Sequence, residues 1–150
     1  MTPFVAAGAG FLLAVLWFDL MHDVQMLRHR QGDAPEDVLA SIAAYYRRVT
    51  TDASPMNRLV GSVMLGTIVA VIFQLVGDDV PNWVAVTSLV FVVGAVTVGV
   101  AHTFRAAVRL GQRRDAVGLQ SDLARSILRD HLLCLVSITA LLVVQLGFGR

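Results

Sequence analysis

Residues 59–76 read LVGSVMLGTIVAVIFQLV, an apolar run in which only Gln74 is strongly polar. A helix needs about 20 mostly apolar residues to cross a hydrocarbon core that is about 30 Å thick. Three further runs approach this length, and together they predict spans at about 4–21, 56–76, 82–102 and 130–148. Backbone amides in lipid need partners within their own segment, so we expect helices. The sequence therefore predicts an all-α bundle of four transmembrane helices, forming a single domain over residues 1–150.

The composition supports this prediction. Of the 150 residues, 56% are apolar and 15% are charged, whereas soluble domains average about 45–50% and about 25%. The mean hydropathy is +0.69. These values exclude a disordered chain and a secreted disulfide scaffold. Cys134 is the only cysteine, which also excludes a dithiol pair and a zinc cluster built on cysteines.

The arginines predict the orientation of the chain in the membrane. With four spans, the segments 22–58 and 103–130 share one side, whereas both termini and the 77–82 hairpin share the other. Only Arg150 falls on the second side, where the hairpin carries Asp78 and Asp79. The other eleven of the twelve arginines fall on the first side, at Arg28, Arg30, Arg47, Arg48, Arg58, Arg105, Arg109, Arg113, Arg114, Arg125 and Arg129. The positive-inside rule then makes segments 22–58 and 103–130 cytoplasmic and places both termini outside.

The absence of lysine is typical of a GC-rich bacterial genome, so we expect a bacterial inner (plasma) membrane. Counting Asp19 at the end of span 1, the cytoplasmic side carries eleven arginines against nine acidic residues, a surplus of only two positive charges. We expect this side to contact the bilayer through anionic lipid headgroups and not to bind nucleic acid.

A short amphipathic cytoplasmic helix is predicted between spans 1 and 2. Residues 33–37, DAPED, are typical of a helix start, with Asp33 as the cap and an early proline. The apolar residues that follow recur at helical spacing, at Val38, Ile42, Tyr45 and Val49. Two placements remain open: in the plane of the membrane interface, or packed on the bundle.

Small residues four apart occur in three spans, as Ala6/Gly10/Ala14, Ser62/Gly66/Ala70 and Ala95/Gly99. Helices in lipid associate where small residues allow their backbones to approach closely. The spacing therefore indicates a compact bundle. It leaves open whether a given stripe faces the same chain, a second copy in a homo-oligomer, or a larger membrane complex.

Polar side chains collect at the cytoplasmic ends of all four spans. Ionisable groups at this depth are energetically costly, and they usually face the interior of a bundle or a cavity. We predict that they form one polar layer inside the bundle. Its members are Asp19, His22, Asp23, Asn57, Arg58, His102, Asp130 and His131.

Three uses of this layer are considered. A metal site would take Asp19, His22, His102 and Asp130, an oxygen- and nitrogen-rich set that suits iron, manganese or zinc. A haem would be held by His22 with either His102 or His131.

In the third use the carboxylates only pair with neighbours. Asp19 or Asp23 would then pair with Arg58 or Arg105, and Asp130 with Asn57 or with residues around Arg129. Tyr45 and Tyr46 are predicted to face the headgroups.

The predicted function is a small multipass membrane protein of unknown activity, with the polar layer either binding a metal or acting on a lipophilic substrate. Whether it is an enzyme stays open, since the sequence shows neither a hydrolase elbow nor a phosphate-binding loop. A structural or assembly subunit of a larger complex is the alternative. A small transporter or channel is disfavoured because the middle of span 1, residues 10–16, carries no charge.

Overall fold

The computed structural model describes residues 1–77 and 80–149, apart from the side chain of Ser54, and this part of the chain contains helices and no strand. Four helical stretches are long and apolar enough to cross a membrane, at Thr2–Arg28, Pro55–Val76, Asn82–Gln112 and Val117–Phe148. The predicted all-α bundle of four membrane helices is confirmed. Asp78, Asp79 and Arg150, which were used to predict the orientation, lie outside the described residues.

Six α-helices follow one another along the chain. They are α1 (Thr2–Asp23), α2 (Glu36–Arg47), α3 (Ser54–Val76), α4 (Asn82–Val98), α5 (Phe104–Gln112) and α6 (Val117–Phe148). A 3₁₀ turn, Val24–Arg28, follows α1, and two π-helical turns, Arg48–Asp52 and Gly99–Thr103, precede α3 and α5. At about 1.5 Å per residue, the 32 residues of α6 are about 48 Å long. Since α6 exceeds the membrane core, its first turns belong to the arginine-rich end.

The four long helices form a closed ring, in which α1 and α4 each pack against both α3 and α6. Apolar side chains such as Leu12, Val71, Ile138 and Leu141 fill the middle of this ring. Helices α1 and α3 approach closely at Gly8, where a Cβ atom would collide with the Thr67 hydroxyl. The small-residue stripes of spans 1 and 2 are mostly turned outward.

Hydrogen bonds join the ends of α1 and α6 to side chains of α3 and α4 at one end of the ring. Thr2 Oγ1 donates to the Gly149 carbonyl at 2.7 Å. The buried side chains of Gln74 and Gln145 exchange two hydrogen bonds of 2.9 Å each, and Gln145 Nε2 also donates to Ser88 Oγ at 2.8 Å. Because buried amides in a membrane must find partners inside the protein, this pairing fixes the relative positions of α3, α4 and α6.

Helix α2 packs on α5 and α6 at the opposite end, so its face is covered by protein. The buried residues are Leu39, Ile42, Ala43 and Tyr46, whereas three members of the predicted stripe, Val38, Tyr45 and Val49, are only partly buried. Of the two placements left open by the sequence, the structure shows packing on the bundle.

The start of α2 differs from the predicted one. The helix begins at Glu36 after Pro35, and Asp33 does not cap it with its side chain. The preceding loop is held instead by Ser121 of α6, whose hydroxyl accepts a 2.9 Å hydrogen bond from the Ala34 amide.

Gly111 of α5 allows α5 and α2 to touch backbone to backbone. A Cβ atom at Gly111 would lie 2.9 Å from the Arg47 nitrogen and 3.1 Å from its Cα. A side chain at this position would therefore push the C-terminal turn of α2 away. That turn carries Tyr45 and Tyr46 toward the interior of the bundle.

Candidate functional site

Asp23, the last residue of α1, lies at the centre of a buried hydrogen-bonded network. Its side chain is fully buried. The Tyr46 hydroxyl donates to Oδ1 at 2.7 Å, and His131 Nδ1 lies 2.6 Å from Oδ2. An ionised carboxylate only accepts hydrogen bonds, so Nδ1 is the protonated nitrogen in this contact. Asp23 therefore fixes the orientation of the imidazole ring.

Asp19 lies one helical turn before Asp23 on the same face of α1. The Tyr45 hydroxyl donates to Asp19 Oδ1 at 2.7 Å. The other oxygen, Oδ2, lies 3.7 Å from His131 Nε2. The contacts thus run from Tyr46 through Asp23, His131 and Asp19 to Tyr45, and we call these five side chains the Asp–His–Asp network.

The two tyrosines are the part of the network that the sequence prediction missed. Tyr46 is only 2% exposed, so its predicted position among the headgroups is wrong. Burial, followed by repulsion from the Asp23 carboxylate, raises the pKa of Tyr46 well above its ordinary value. Burial and then Asp19 raise the pKa of Tyr45 in the same way. Both side chains therefore stay neutral hydrogen-bond donors.

One signal in the sequence pointed to this role. Adjacent tyrosines end the amphipathic stretch of α2, and a buried phenol needs a hydrogen-bond acceptor. The carboxylates of Asp19 and Asp23, four residues apart on span 1, were available acceptors at the same level.

A second pair lies beside the network on α6. Asp130, with a side chain only 6% exposed, pairs with the half-exposed His102. Thr103 also donates to Asp130 Oδ2 at 3.1 Å, and Arg129 Nε lies 4.0 Å from Oδ1. Asp130 is therefore paired separately from Asp19 and Asp23.

Three other members of the predicted layer take peripheral places. The His22 ring stacks on the Tyr45 ring with centroids 3.8 Å apart, and His22 Nδ1 lies 3.1 Å from the Phe18 carbonyl. Asn57 donates to the Thr50 carbonyl at 2.7 Å. Arg58 is exposed and forms no ion pair with the part of the chain that the structure describes.

The predicted pairing of Asp19 or Asp23 with Arg58 or Arg105 is not formed, because tyrosine and histidine take that place. Five other arginines pair with carboxylates elsewhere, as Arg109 does with Asp115 through two hydrogen bonds of 2.8 Å. Burying a charged guanidinium costs more free energy than burying a neutral phenol. This difference explains why the buried carboxylates bind tyrosines instead of arginines.

The four residues predicted to bind a metal are not brought together. Asp130 faces His102, whereas Asp19 faces Tyr45, and His22 contacts its own helix. Within residues 1–77 and 80–149, no group of three or more His, Cys, Asp or Glu side chains is arranged to hold a metal ion. Each histidine of the predicted haem pairs also has another partner: His22 the Phe18 carbonyl, His102 Asp130, and His131 Asp23.

A cavity of about 490 Å³ opens onto the Asp–His–Asp network. Most of its wall is apolar and comes from α1, α3 and α5, and the exposed rings of Phe18 and Phe104 stand at its rim. Its polar wall consists of Asp19, Tyr45, Tyr46, Thr50, Asn57, Thr103 and His131. A second cavity of about 90 Å³ also contacts Asp19 and His131. Asp19 and His131 therefore border both cavities.

Both π-helical turns contribute to the larger cavity. Thr50 belongs to the turn after α2, and Gly99, Val100 and Thr103 belong to the turn after α4. A π-helical turn widens a helix locally, and such turns are frequent at functional sites. The backbone irregularities of this chain thus coincide with the walls of the cavity.

The arrangement can hold or move one proton at His131. Because Nδ1 is bound to Asp23, exchange with a molecule in the cavity would take place at Nε2, the nitrogen directed toward Asp19. The chain matches no protein-family model, no curated protein and no solved structure.

Proposed function

We propose that this chain is a membrane protein that binds a lipophilic small molecule in the cavity beside the Asp–His–Asp network. The observation that carries the proposal is the combination of a cavity of about 490 Å³, a mostly apolar wall, and one polar patch. Small-molecule sites typically measure about 300–1,000 Å³ and have a few polar groups that orient the ligand. Ionisable residues inside membrane helices are costly and usually mark a functional site.

The polar part of the ligand would lie against Asp19, Tyr45 and His131. Its hydrocarbon part would lie along α1 and α3, against side chains such as Val15 and Val60. The side chains of Phe18 and Phe104 are 60% and 47% exposed. An opening between them would admit a molecule that is already dissolved in the membrane.

The test is a binding measurement on a cavity-filling variant. Gly61 lines the cavity, and a Cβ atom there has no neighbour within 4 Å, so Gly61→Leu adds a side chain without a clash at Cβ. Gly66 is a matched control on the same helix, since it also has no neighbour within 4 Å and lies outside the cavity lining. The probe is N-phenyl-1-naphthylamine, measured by fluorescence in nanodiscs with the signal of empty nanodiscs subtracted.

We expect saturable binding to the unmodified chain and to Gly66→Leu. Steric overlap in Gly61→Leu should cost about 1–3 kcal/mol, which weakens binding roughly 5- to 150-fold. Equal binding by Gly61→Leu and Gly66→Leu, or no saturable binding by any form, would refute the proposal.

For the location we propose a bacterial inner membrane with the arginine-rich end in the cytoplasm and both termini outside. The arginine count supports this orientation through the positive-inside rule. The arginine-rich segments also share one end of the molecule, since α2, α5 and the start of α6 share one core. Reporter fusions at each terminus test the orientation, and a cytoplasmic reporter signal would contradict it.

A second candidate function is a subunit of a larger membrane assembly. It is favoured by small residues that face outward in the single chain: Gly10 and Ala14 on α1, and Gly66 on α3. Outward small residues allow close approach of another helix. A particle mass in mild detergent that equals one chain plus detergent would count against this candidate.

A further inference from the structure

We propose that the ligand of the cavity is a lipophilic cation, such as an alkylamine, whose ammonium group lies against Asp19. This inference rests on the proposed function and adds the chemical class of the ligand. Three observations support it: the charge of the network, the unfilled bonding capacity of Asp19, and the aromatic rings around the cavity.

Within the described residues, the ion pairs of the Asp–His–Asp network leave one negative charge without a partner. Asp19 and Asp23 share His131 as the imidazole within ion-pair distance, so one carboxylate has no ion-pair partner of its own even when His131 is protonated. The neighbouring Asp130 is matched separately by His102 and Arg129. Charges buried without a partner are strongly destabilising. A cation in the cavity would supply the missing positive charge.

Five arginines in the described part of the chain form ion pairs, and all five pair with carboxylates outside the network. Their pairs are Arg47–Asp52, Arg109–Asp115, Arg113–Glu36, Arg125–Asp122 and Arg129–Asp130. No described arginine is therefore within ion-pair distance of Asp19 or Asp23. The described arginines thus leave this charge to be balanced by a ligand in the cavity.

Asp19 has an oxygen that can accept a further hydrogen bond. Oδ1 accepts the Tyr45 hydroxyl at 2.7 Å, whereas Oδ2 lies 3.7 Å from His131 Nε2, too far for a hydrogen bond. Asp19 contacts both cavities, and its side chain is 15% exposed. An ammonium group has three N–H donors, and its bonds to carboxylates are shorter and stronger than those between neutral groups.

Aromatic rings also line this cavity. Phe18, Tyr45 and Phe104 line it. A cation within about 6 Å of the centre of an aromatic ring is attracted by the negative face of the ring. A carboxylate head would instead be repelled by Asp19, and an alcohol would leave the charge of the network unbalanced. The walls thus favour a positive head over an anionic or neutral one.

The experiment compares three ligands with the same tail: octylamine, 1-octanol and octanoate. Each competes with N-phenyl-1-naphthylamine for the full chain in nanodiscs of phosphatidylcholine, which has no net charge, at pH 7. Concentrations are corrected for partition into empty nanodiscs. We expect octylamine to displace the probe at a concentration at least tenfold lower than 1-octanol, and octanoate to be the weakest competitor.

Variants at Asp19 identify the group responsible. Asp19→Asn should reduce the difference between octylamine and 1-octanol to less than twofold, and Asp19→Glu should keep most of it. Asp122→Asn is the matched control, because Asp122 is an exposed carboxylate paired with Arg125 away from the cavity. This control should preserve the full preference for the amine.

The outcomes separate the two proposals. Equal competition by octylamine and 1-octanol, or stronger competition by octanoate, would overturn the cation inference while probe binding itself still supports the proposed function. An amine preference that Asp19→Asn and Asp122→Asn affect equally would also overturn it. Absence of saturable probe binding in the unmodified chain would refute the proposed function. If Asp19→Asn does not give a monodisperse protein, the three ligands are compared on the unmodified chain and on Asp19→Glu. That comparison still tests the cation inference.

Discussion

Substitution of each tyrosine of the Asp–His–Asp network by phenylalanine tests the hydrogen bonds that define it. Tyr46→Phe removes the donor to Oδ1 of Asp23, a side chain with no exposed surface, and water cannot replace the lost bond. Hydrogen bonds to charged groups contribute about 1.5–3 kcal/mol, and we expect a loss of that size in the free energy of unfolding. Tyr45→Phe removes the equivalent donor to Asp19, whose side chain is 15% exposed and borders a cavity. Water can reach this site, so we expect a smaller loss of about 0.5–1.5 kcal/mol.

The two neighbouring substitutions control for each other, since each removes one hydroxyl from the same helical turn. The free energy of unfolding is measured by titration of the folded protein in mild-detergent micelles with sodium dodecyl sulfate, followed by circular dichroism. A double-mutant cycle between Tyr46→Phe and Asp23→Asn isolates the interaction between the two side chains. A loss for Tyr46→Phe no larger than that for Tyr45→Phe, or a coupling energy near zero, would refute the assignment of Asp23 as the buried centre of the network.

Three further predictions concern packing, the opposite end of the bundle, and alkaline pH. Gly111→Ala should destabilise the protein by about 1–3 kcal/mol because the added methyl meets the backbone of α2. The control Gly66→Ala has open space around it and should be neutral or stabilising. Equal thermal unfolding temperatures for the two variants would contradict the close contact at Gly111. Gln145→Ala leaves its glutamine partner on α3 and the Ser88 hydroxyl with fewer hydrogen bonds. It should lower the free energy of unfolding by about 0.6–1.7 kcal/mol in the same detergent titration. An unchanged midpoint would show that this pairing does not contribute to stability. Burial raises the pKa of Tyr45 and Tyr46 above their ordinary value of 10.0, so the folded chain holds these protons more tightly than the unfolded chain. This contribution to stability is complete below pH 10.0 and declines as the pH rises above it. The double Tyr45→Phe/Tyr46→Phe variant should therefore lose less stability than the unmodified chain between about pH 9 and pH 11, and equal losses in both would argue against buried phenols.

Several elements of the candidate site were visible in the sequence. Asp19, Asp23 and His131 were predicted to share one polar layer, and the structure brings them together. The prediction rested on their shared depth and on their helical faces, because ionisable residues at this depth usually face the interior of a bundle. It did not identify their partners: arginines were expected where Tyr45 and Tyr46 are found.

The missed partners have a common physical cause. Tyr46 reaches Asp23 only because α2 folds back onto α5 and α6, and that placement depends on the close contact at Gly111 and on the Ala34–Ser121 hydrogen bond. Both contacts join residues that are far apart in sequence. No periodicity within α2 alone distinguishes a face that packs on protein from one that lies on a membrane.

The sequence by itself determined the four apolar helices and the polar segments between them. The length of an apolar run relative to the thickness of the membrane is a local property of the sequence. The sequence also placed the scarce ionisable groups at one level of the bundle. Only the tertiary structure decided that Asp130 pairs with His102, that His131 turns toward Asp23, and that a cavity opens beside Asp19. These outcomes depend on distances of a few ångströms between separate helices, and such distances are set by the way whole helices pack against one another.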